Sequence, residues 1–512
     1  MPKWLDNAIF YEIYPQSFRD TNADGIGDFP GILEKLDYIR DLGCNALWIN
    51  PCFASPFGDA GYDVSDYYRA APRYGTNEDL KRIFDEAHRR DIRVLLDLVP
   101  GHTALDHPWF KASMLAEKNP YTDRYIWTDN IWERPDGLDC LRGISDRDGA
   151  CAVNFFSHQP ALNYGCYKVE KSWQQPMDAP GPRATLEAMK DVMRFWLRLG
   201  CDGFRVDMAG CMVKNDPERR GTILLWQEVR AFLDREFPEA AIISEWGEPD
   251  KSLEGGFHMD FLLHGGPSHY DDLFRCEEPF FSGRGRGDAS KFAAQYEKYM
   301  EQTGGKGLIC IPSGNHDTER LAPALQGGEL KLAFAFLLTM PGAPFIYYGD
   351  EIGMRYVEGL TSVEGGYHRT GARTPMQWDG SINAGFSAAA PDRLYIPLDG
   401  DPDRPNVQAQ MADLGSLYHE IKRLIAVRQA HEALQSGGGI RFVFAQENRC
   451  PLAYIRTGGG ESLLVILNPS LEMVSFPGAF APSGSVYCFG GEAKFNPGLV
   501  TAPPCSAGIY RL

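Results

Sequence analysis

GFRVD, residues 203–207, closes an apolar, β-prone run and directly precedes a polar helix start. Arg205 and Asp207 stand two positions apart, so on a strand they share one face at its C-terminal end. A cation within reach of a carboxylate lowers its pKa and holds its orientation, which suits an Asp that must stay ionised and reactive. The same two residues would equally make a plain structural ion pair. The rest of the chain has to decide between the two.

Working outward, seven more β-prone runs flank this one: AIFYEIYPQSF (8–18), NALWINP (45–51), IRVLLDLVP (92–100), AAIISEW (240–246), HMDFLLH (258–264), GLICIPSGNH (307–316) and APFIYYGDEIG (343–353). Segments with helical apolar spacing lie between most of them, at 32–42, 80–89, 185–199, 222–236 and 289–302. Eight strands alternating with helices predict a parallel (β/α)₈ barrel, the TIM-barrel architecture, rather than a doubly wound sheet. Catalytic groups in that architecture sit at the C-terminal strand ends. Asp97, Arg205, Asp207, Glu245, His316 and Asp317 all fall there.

Two irregularities mark further domains. Positions 103–180, rich in Trp, Tyr, Pro and Gly, are far longer than an ordinary βα loop and read as a subdomain projecting over the barrel mouth. A last amphipathic helix covers 414–428, after which the linker from Ser436 to Gly439 introduces alternating runs such as IRFVFAQ and SLLVILN. The predicted organisation is a barrel over 1–102 and 181–435, an insert over 103–180, and an antiparallel β-sandwich over 436–512.

Bulk properties narrow the partners. The chain has 512 residues, 44% of them hydrophobic and 12% aromatic, enough to bury large cores. A formal charge of −18 opposes binding to nucleic acid or to an anionic membrane surface. Aromatic rings beside many acids suit neutral, hydroxyl-rich ligands such as sugars. The N-terminus shows no basic-then-apolar leader, and Pro341, Gly342 and Pro344 break the longest apolar run. The 12 Cys are scattered without CxxC or metal-ligand spacing, which predicts a reduced, disulfide-free, cytoplasmic protein. A monomer or small homo-oligomer is expected.

Asp20, Asn22, Asp24 and Asp28, with a Gly at position 25, space oxygen ligands as a calcium loop does. Gly31 stands where an EF-hand has its bidentate Glu, and a strand precedes the loop, so it is not an EF-hand. A structural Ca²⁺ or Mg²⁺ held by Asp20, Asn22, Asp24, the Ile26 carbonyl and Asp28 is one reading; an Asx-rich turn without metal is the other. No organic cofactor is indicated. Glu245, with Trp246 beside it, closes the fifth run in an apolar setting of the kind that raises a carboxyl pKa towards that of a general acid. Asp207, Glu245 and Asp317 thus converge from three strand ends. Glycosidic cleavage uses a nucleophile, a proton donor and negative charge facing an oxocarbenium-like centre.

The blocks DLVPGH, GFRVD, SEWG, SGNHD, QPALN (159–163) and PGAPFIYYGDEIG occur in one order along the chain. In that order and spacing the chain resembles the α-amylase family of retaining glycoside hydrolases over nearly its whole length. GDAGYD (58–63), HPWF (107–110), ARTPMQW (372–378) and the calcium-like loop resemble the oligo-1,6-glucosidase and α-glucosidase branch. The resemblance implies Asp207 as nucleophile, Glu245 as acid/base and Asp317 as a transition-state-stabilising, sugar-binding residue. It implies Arg205 as the group keeping Asp207 ionised, His102 and His316 as hydrogen-bonding partners of the sugar, and Tyr62 stacked on its face. Asp59 would pair with Arg373 to grip the non-reducing glucose and close the pocket at one end.

Three departures stand out: Gly101 before His102 where the family has Asn, Ala161 where QPDLN is usual, and Met208 after the nucleophile where small or β-branched residues help set linkage. The expected activity is exo-acting hydrolysis of α-glucosidic bonds in disaccharides or short oligosaccharides. The alternative is a transglycosylase or isomerase of trehalose-synthase or sucrose-converting type, which the FFSHQPALNY segment also resembles. A non-catalytic amylase-like binding protein is the third reading, though such proteins carry a membrane anchor.

Overall fold

A computed structural model describes residues 1–135, 137–263, 266–284 and 287–512. All eight expected runs contain a strand: β1 (Phe10–Ile13), β2 (Ala46–Ile49), β3 (Arg93–Leu98), β4 (Gly203–Val206), β5 (Ala241–Ser244), β6 (Met259–Phe261), β7 (Leu308–Cys310) and β8 (Phe345–Tyr347). His264, the last residue of the sixth run, lies outside the described residues. Every pairing is parallel, in the order β7-β6-β5-β4-β3-β2-β1-β8. A parallel bridge between Pro312 and Phe345 joins the two ends, so the sheet closes as a (β/α)₈ barrel. Strands sandwiched between a packed lumen and a ring of helices are buried on both faces, which is why these runs are continuously apolar. Phe10, Trp48, Leu95, Ile243, Phe261 and Phe345 fill the lumen, with the Phe10 and Phe345 rings stacked 4.2 Å apart.

Gly203 opens β4 with φ +146, and a Cβ there would lie 1.9 Å from the Ala241 carbonyl. Only glycine lets β4 approach β5 so closely. The register pairs Asp97 of β3 with Arg205 of β4, bringing those two side chains onto the same rung at the barrel's C-terminal end. The helices carry local stop and start signals. Helix α1 (Phe29–Leu42) is N-capped by Asp28, whose side chain accepts the Gly31 N–H, and ends at Gly43 in the left-handed region. Helix α2 (Asn77–His88) begins with a Thr76–Asp79 capping box. Helix α3 (Pro180–Leu199) and helix α4 (Arg220–Glu236) flank β4 in sequence.

The stretch between β3 and α3 holds one short helix (Pro108–Ser113) and a two-stranded ladder of Cys140–Leu141 with Cys151–Ala152. Asp136 of this stretch lies outside the described residues. A backbone bridge from His102 to Ala161 ties it to the barrel mouth. Ala161 is fully buried in a small apolar cluster with Ile126 and Ala152, so a carboxylate at this position would sit in apolar surroundings. C-terminal to the barrel, five antiparallel strands and a separate three-stranded antiparallel sheet pack around Phe444, Ile466, Phe476 and Val500. Two buried guanidiniums meet at the junction with the barrel: Arg428, on the helix Leu417–Ala430, donates to the carbonyls of Leu338 and Met340 at 2.9 and 2.8 Å, and Arg456, from the C-terminal sheet, donates to Thr339 O. Those carbonyls end the apolar helix Gly328–Thr339, where the helix dipole favours cations. All 12 Cys are free thiols, and no described helix is long and apolar enough to cross a membrane.

Candidate active site

A cavity of about 420 Å³ opens at the C-terminal end of the barrel, lined among others by Asp59, Tyr62, His102, Asp207, Glu245 and Asp317. Its floor is organised by Arg205. Arg205 Nη1 donates to Asp97 Oδ1 at 2.8 Å and to Asp207 Oδ1 at 3.0 Å, while Nη2 stands 2.7 Å from Glu245 Oε2. One guanidinium thus serves three carboxylates. Its plane also faces the Trp48 ring, 5.0 Å from the centroid, and the Trp48 indole N–H and the Tyr62 hydroxyl donate to Asp97 Oδ2 at 3.2 and 3.0 Å. Met208 follows Asp207 in the left-handed region, φ 44, a conformation costing a non-glycine residue about 1–2 kcal/mol. It turns the chain so that the Met208 N–H donates to Glu245 Oε2 at 3.1 Å.

The protonation balance corrects one expectation. Burial and the neighbouring Glu245 charge push the Asp207 pKa well above the usual carboxylate value, and Arg205 pulls only part of it back. Arg205 therefore offsets only part of the effect of burial on Asp207, and the same guanidinium also carries Asp97 and Glu245. Glu245, expected in an apolar setting, stands instead against Arg205 and the Met208 amide.

The opposite wall has the inverse composition. Asp317 Oδ1 accepts from Arg369 Nη1 and Arg373 Nη2, each at 2.8 Å, and Oδ2 lies 3.3 Å from His316 Nε2. Burial would raise its pKa, but His316, Arg373 and Arg369 together hold it well below the usual range. Asp317 is fixed as an anion. Burial likewise disfavours the His316 imidazolium, yet Asp317 and Glu12 outweigh it and raise the pKa to about 9.

The residue pairing Asp59 differs from the expectation. Arg373 is buried behind Asp317, donating from Nε to the His316 carbonyl at 2.8 Å. Arg369, four residues earlier, lines the cavity and stands 3.5 Å from Asp59 Oδ1. Asp59 Oδ2 also accepts from Gln159 Nε2 at 2.8 Å. The shorter route to the pocket belongs to Arg369 because the 3-10 turn Tyr367–Ala372 faces the mouth, whereas Arg373 follows it into the core. His316, expected against the sugar, is fully buried and stacked on Tyr62 with ring centroids 5.3 Å apart. It touches Tyr62 Oη at 2.7 Å and Glu12 Oε1 at 3.0 Å, so it supports the ring that lines the pocket. His102 does line the cavity; burial holds its pKa down at about 3, so its imidazole is neutral.

Sequence reasoning did not single out Arg369, Gln159 or the aromatic rim. Phe155 and Phe156 from the insert and Tyr367 from the loop after β8 line the mouth, with Phe156 and Tyr367 6.0 Å apart. A signal for Arg369 existed: it stands four residues before Arg373, a spacing at which two side chains can reach one partner, and both meet Asp317 Oδ1.

The Asp20–Asp28 loop is a ladder of Asx turns. Asp20 accepts the N–H groups of Asn22, Ala23 and Gly25, Asn22 accepts Asp24 N–H, and Asp24 accepts Ile26 N–H. Asp28 splits its oxygens between Thr21 and the cap of α1. Among the described residues no three His, Cys, Asp or Glu side chains gather as a metal-holding group. The donors are nonetheless all oxygen, the type a hard cation takes, and ionised carboxylates keep lone pairs beyond those the amides use.

The alpha-amylase catalytic-domain family model matches residues 12–437. The trehalose synthase/amylase TreS of Mycolicibacterium smegmatis is 34% identical, covering 88% of this chain and 80% of that protein. The oligo-1,6-glucosidase of Parageobacillus thermoglucosidasius is 32% identical over 91% of this chain and 90% of its own. Among solved structures, the trehalulose synthase MutB superposes with a TM-score of 0.82 at 27% identity, covering 99% of this chain and 100% of that one.

Proposed function

The chain belongs to the α-amylase family of glycoside hydrolase-type enzymes, and from that premise we propose an exo-acting α-glucosidase that takes one terminal α-glucosyl residue from a disaccharide or short oligosaccharide. The observation carrying this reading is the ion pairing of Arg369 with Asp59 and Asp317 in the wall of the cavity that also holds Asp207 and Glu245: a wall tied in this way would stop a longer chain from passing through. A glucosyl unit entering there has its hydroxyls against a fixed array of anion and cation and its C1 towards Asp207.

Glu245 gives its proton to the glycosidic oxygen as an Asp207 oxygen attacks C1, so the C1–O bond breaks and the sugar leaves as an alcohol. Glu245, now a carboxylate, takes the proton of an incoming hydroxyl, which attacks C1 from the vacated side and frees Asp207. Two inversions retain the anomeric configuration. Carboxylates held on one guanidinium suit the short separation of a retaining pair, roughly 5–5.5 Å. Asp317 faces the positive charge that develops at the ring.

A second reading is favoured by the aromatic rim and by the trehalose synthase relatives. If Phe155, Phe156 and Tyr367 retain the departed sugar and exclude water, the glucosyl group returns to a different hydroxyl of it and the disaccharide is isomerised. Incubation with maltose, isomaltose, sucrose and trehalose separates the two. Free glucose in proportion to turnover supports hydrolysis; new disaccharide without free glucose supports isomerisation and sinks the first reading.

The oxygens of Asp20, Asn22, Asp24, Ile26 and Asp28 are proposed to hold a divalent cation, Ca²⁺ or Mg²⁺, in a structural role at the first βα loop. Its removal by a chelator is expected to lower the melting temperature by roughly a few degrees; an unchanged melt argues against it. Free thiols throughout suit a reducing, cytoplasmic setting.

A further inference from the structure

The loop after Asp207 runs through the 3-10 turn Ala209–Cys211 to Lys214, a residue that the chemistry above does not use. Lys214 Nζ donates to the Cys211 carbonyl at 2.7 Å, within its own loop, and to Asn154 Oδ1 at 3.2 Å, in the insert. Its backbone is stitched to the insert as well: Lys214 N–H donates to Gly165 O and Tyr167 N–H to Lys214 O, both at 2.9 Å. Asn154 directly precedes Phe155 and Phe156 of the cavity rim.

An ammonium has donors only, so it fixes which end of the Asn154 amide faces it. The oxygen points to Lys214, and the NH₂ then donates to the Gly101 carbonyl at 2.8 Å and towards His102 Nδ1 at 3.3 Å. With Nδ1 accepting, the neutral His102 carries its proton on Nε2, which lies 3.0 Å from the Tyr62 carbonyl. The amide also accounts for Gly101: a Cβ there would lie 2.8 Å from Asn154 Nδ2. The amide that the family resemblance places at position 101 is here supplied from position 154, across the junction of barrel and insert.

We infer that Lys214 is a positioning residue: through Asn154 it clamps the insert's aromatic rim to the loop that carries Asp207 and Met208, and adds a contact at Nδ1 to the His102 imidazole already held at Nε2 in the glucosyl pocket. This rests on the proposed α-glucosyl chemistry of the same site, so its test has one arm that needs no activity.

Lys214→Met, Asn154→Leu and the double variant are assayed with an aryl α-glucoside alongside the unaltered enzyme. Each single change is expected to lower kcat by roughly tenfold to a hundredfold, as misplacement of about 1 Å does. KM should move far less, and Lys214→Arg should recover most of the loss. The double variant should fall within about twofold of the worse single one, because both act on one contact. Losses that multiply, or an unchanged kcat, overturn the inference. If Lys214→Met does not fold, Gly101→Ala decides, since its methyl displaces the Asn154 amide while leaving Lys214 in place; the same loss of kcat supports the clamp and none refutes it. Independently, ¹⁵N NMR of His102 should show the Nε2–H tautomer in the unaltered protein, and its Nδ1 resonance should shift once Lys214 is Met and the Asn154 donor is displaced. An inactive unaltered enzyme with that Nδ1 shift keeps the clamp and removes the α-glucosyl reading; an active one without the shift does the reverse.

Discussion

The two walls of the pocket use the same ions in opposite proportion. At Arg205 one cation serves Asp97, Asp207 and Glu245; at Asp317 one anion is served by Arg369, Arg373 and the His316 imidazolium. The first cluster has excess negative charge in a dry place, which pushes the Asp207 pKa up. The second has excess positive charge around one carboxylate, which holds the Asp317 pKa down. Burial is common to both, and it is the count of counter-ions that sends the two carboxylates in opposite directions.

The contrast breaks first at the reacting carboxylate. Asp207→Asn should reduce turnover by about 10⁴-fold or more while circular dichroism shows an unchanged fold; activity near that of the unaltered enzyme would remove Asp207 from the chemistry. Next in size, Arg205→Met leaves the carboxylates without their cation, and a broken buried pair costs about 3–5 kcal/mol, read as a large fall in denaturant midpoint. A midpoint that barely moves would mean the three acids carry protons enough to dispense with Arg205.

On the other wall, Arg369→Met should lose roughly ten- to a hundredfold in kcat/KM, the worth of a charged hydrogen bond of about 1.5–3 kcal/mol. Arg373→Met should act mainly on stability. Equal effects of the two on KM would erase the distinction drawn between the arginine that lines the cavity and the one buried behind Asp317. The smallest effect is in the pH dependence of stability. The folded pKa of His316, about 9, lies above its unfolded value of about 6.5. Its contribution is therefore full below about pH 6.5 and is lost as the pH rises towards 9. Asp317, with its pKa depressed, contributes above the ordinary carboxylate range and loses that on acidification. The alkaline fall in melting temperature should flatten in His316→Gln; a slope identical to that of the unaltered protein would contradict the imidazolium.

The barrel was legible because its eight apolar runs and intervening helical periodicities are local patterns, and Gly203, Asp28 and Thr76 punctuate them with conformational or capping chemistry that residue type reveals. The meeting of Asp207 and Glu245 in one pocket was legible because strand ends converge in this architecture. What the sequence did not disclose depends on side-chain direction across long separations. Arg369 and Arg373 meet at one oxygen of Asp317, yet only Arg369 also reaches Asp59, and His316 reaches back to Glu12 rather than forward to the cavity. Asn154 supplies an amide that position 101 lacks, a substitution in space with no trace in local spacing. The raised pKa of Asp207 was hidden for a related reason: GFRVD displays its arginine, but not the two other carboxylates that share it.

The central claim is that Asp207 carries a covalent glucosyl group formed in the pocket it shares with Glu245 and Asp317. Its most direct measurement is to trap the enzyme with a 5-fluoro-α-glucosyl fluoride and map the adduct by peptide mass spectrometry. One fluoroglucosyl group on the peptide containing Asp207, absent from Asp207→Asn, is the predicted result. An adduct on Glu245 or Asp317, or sustained turnover of α-glucosides with no adduct on any carboxylate, would contradict it.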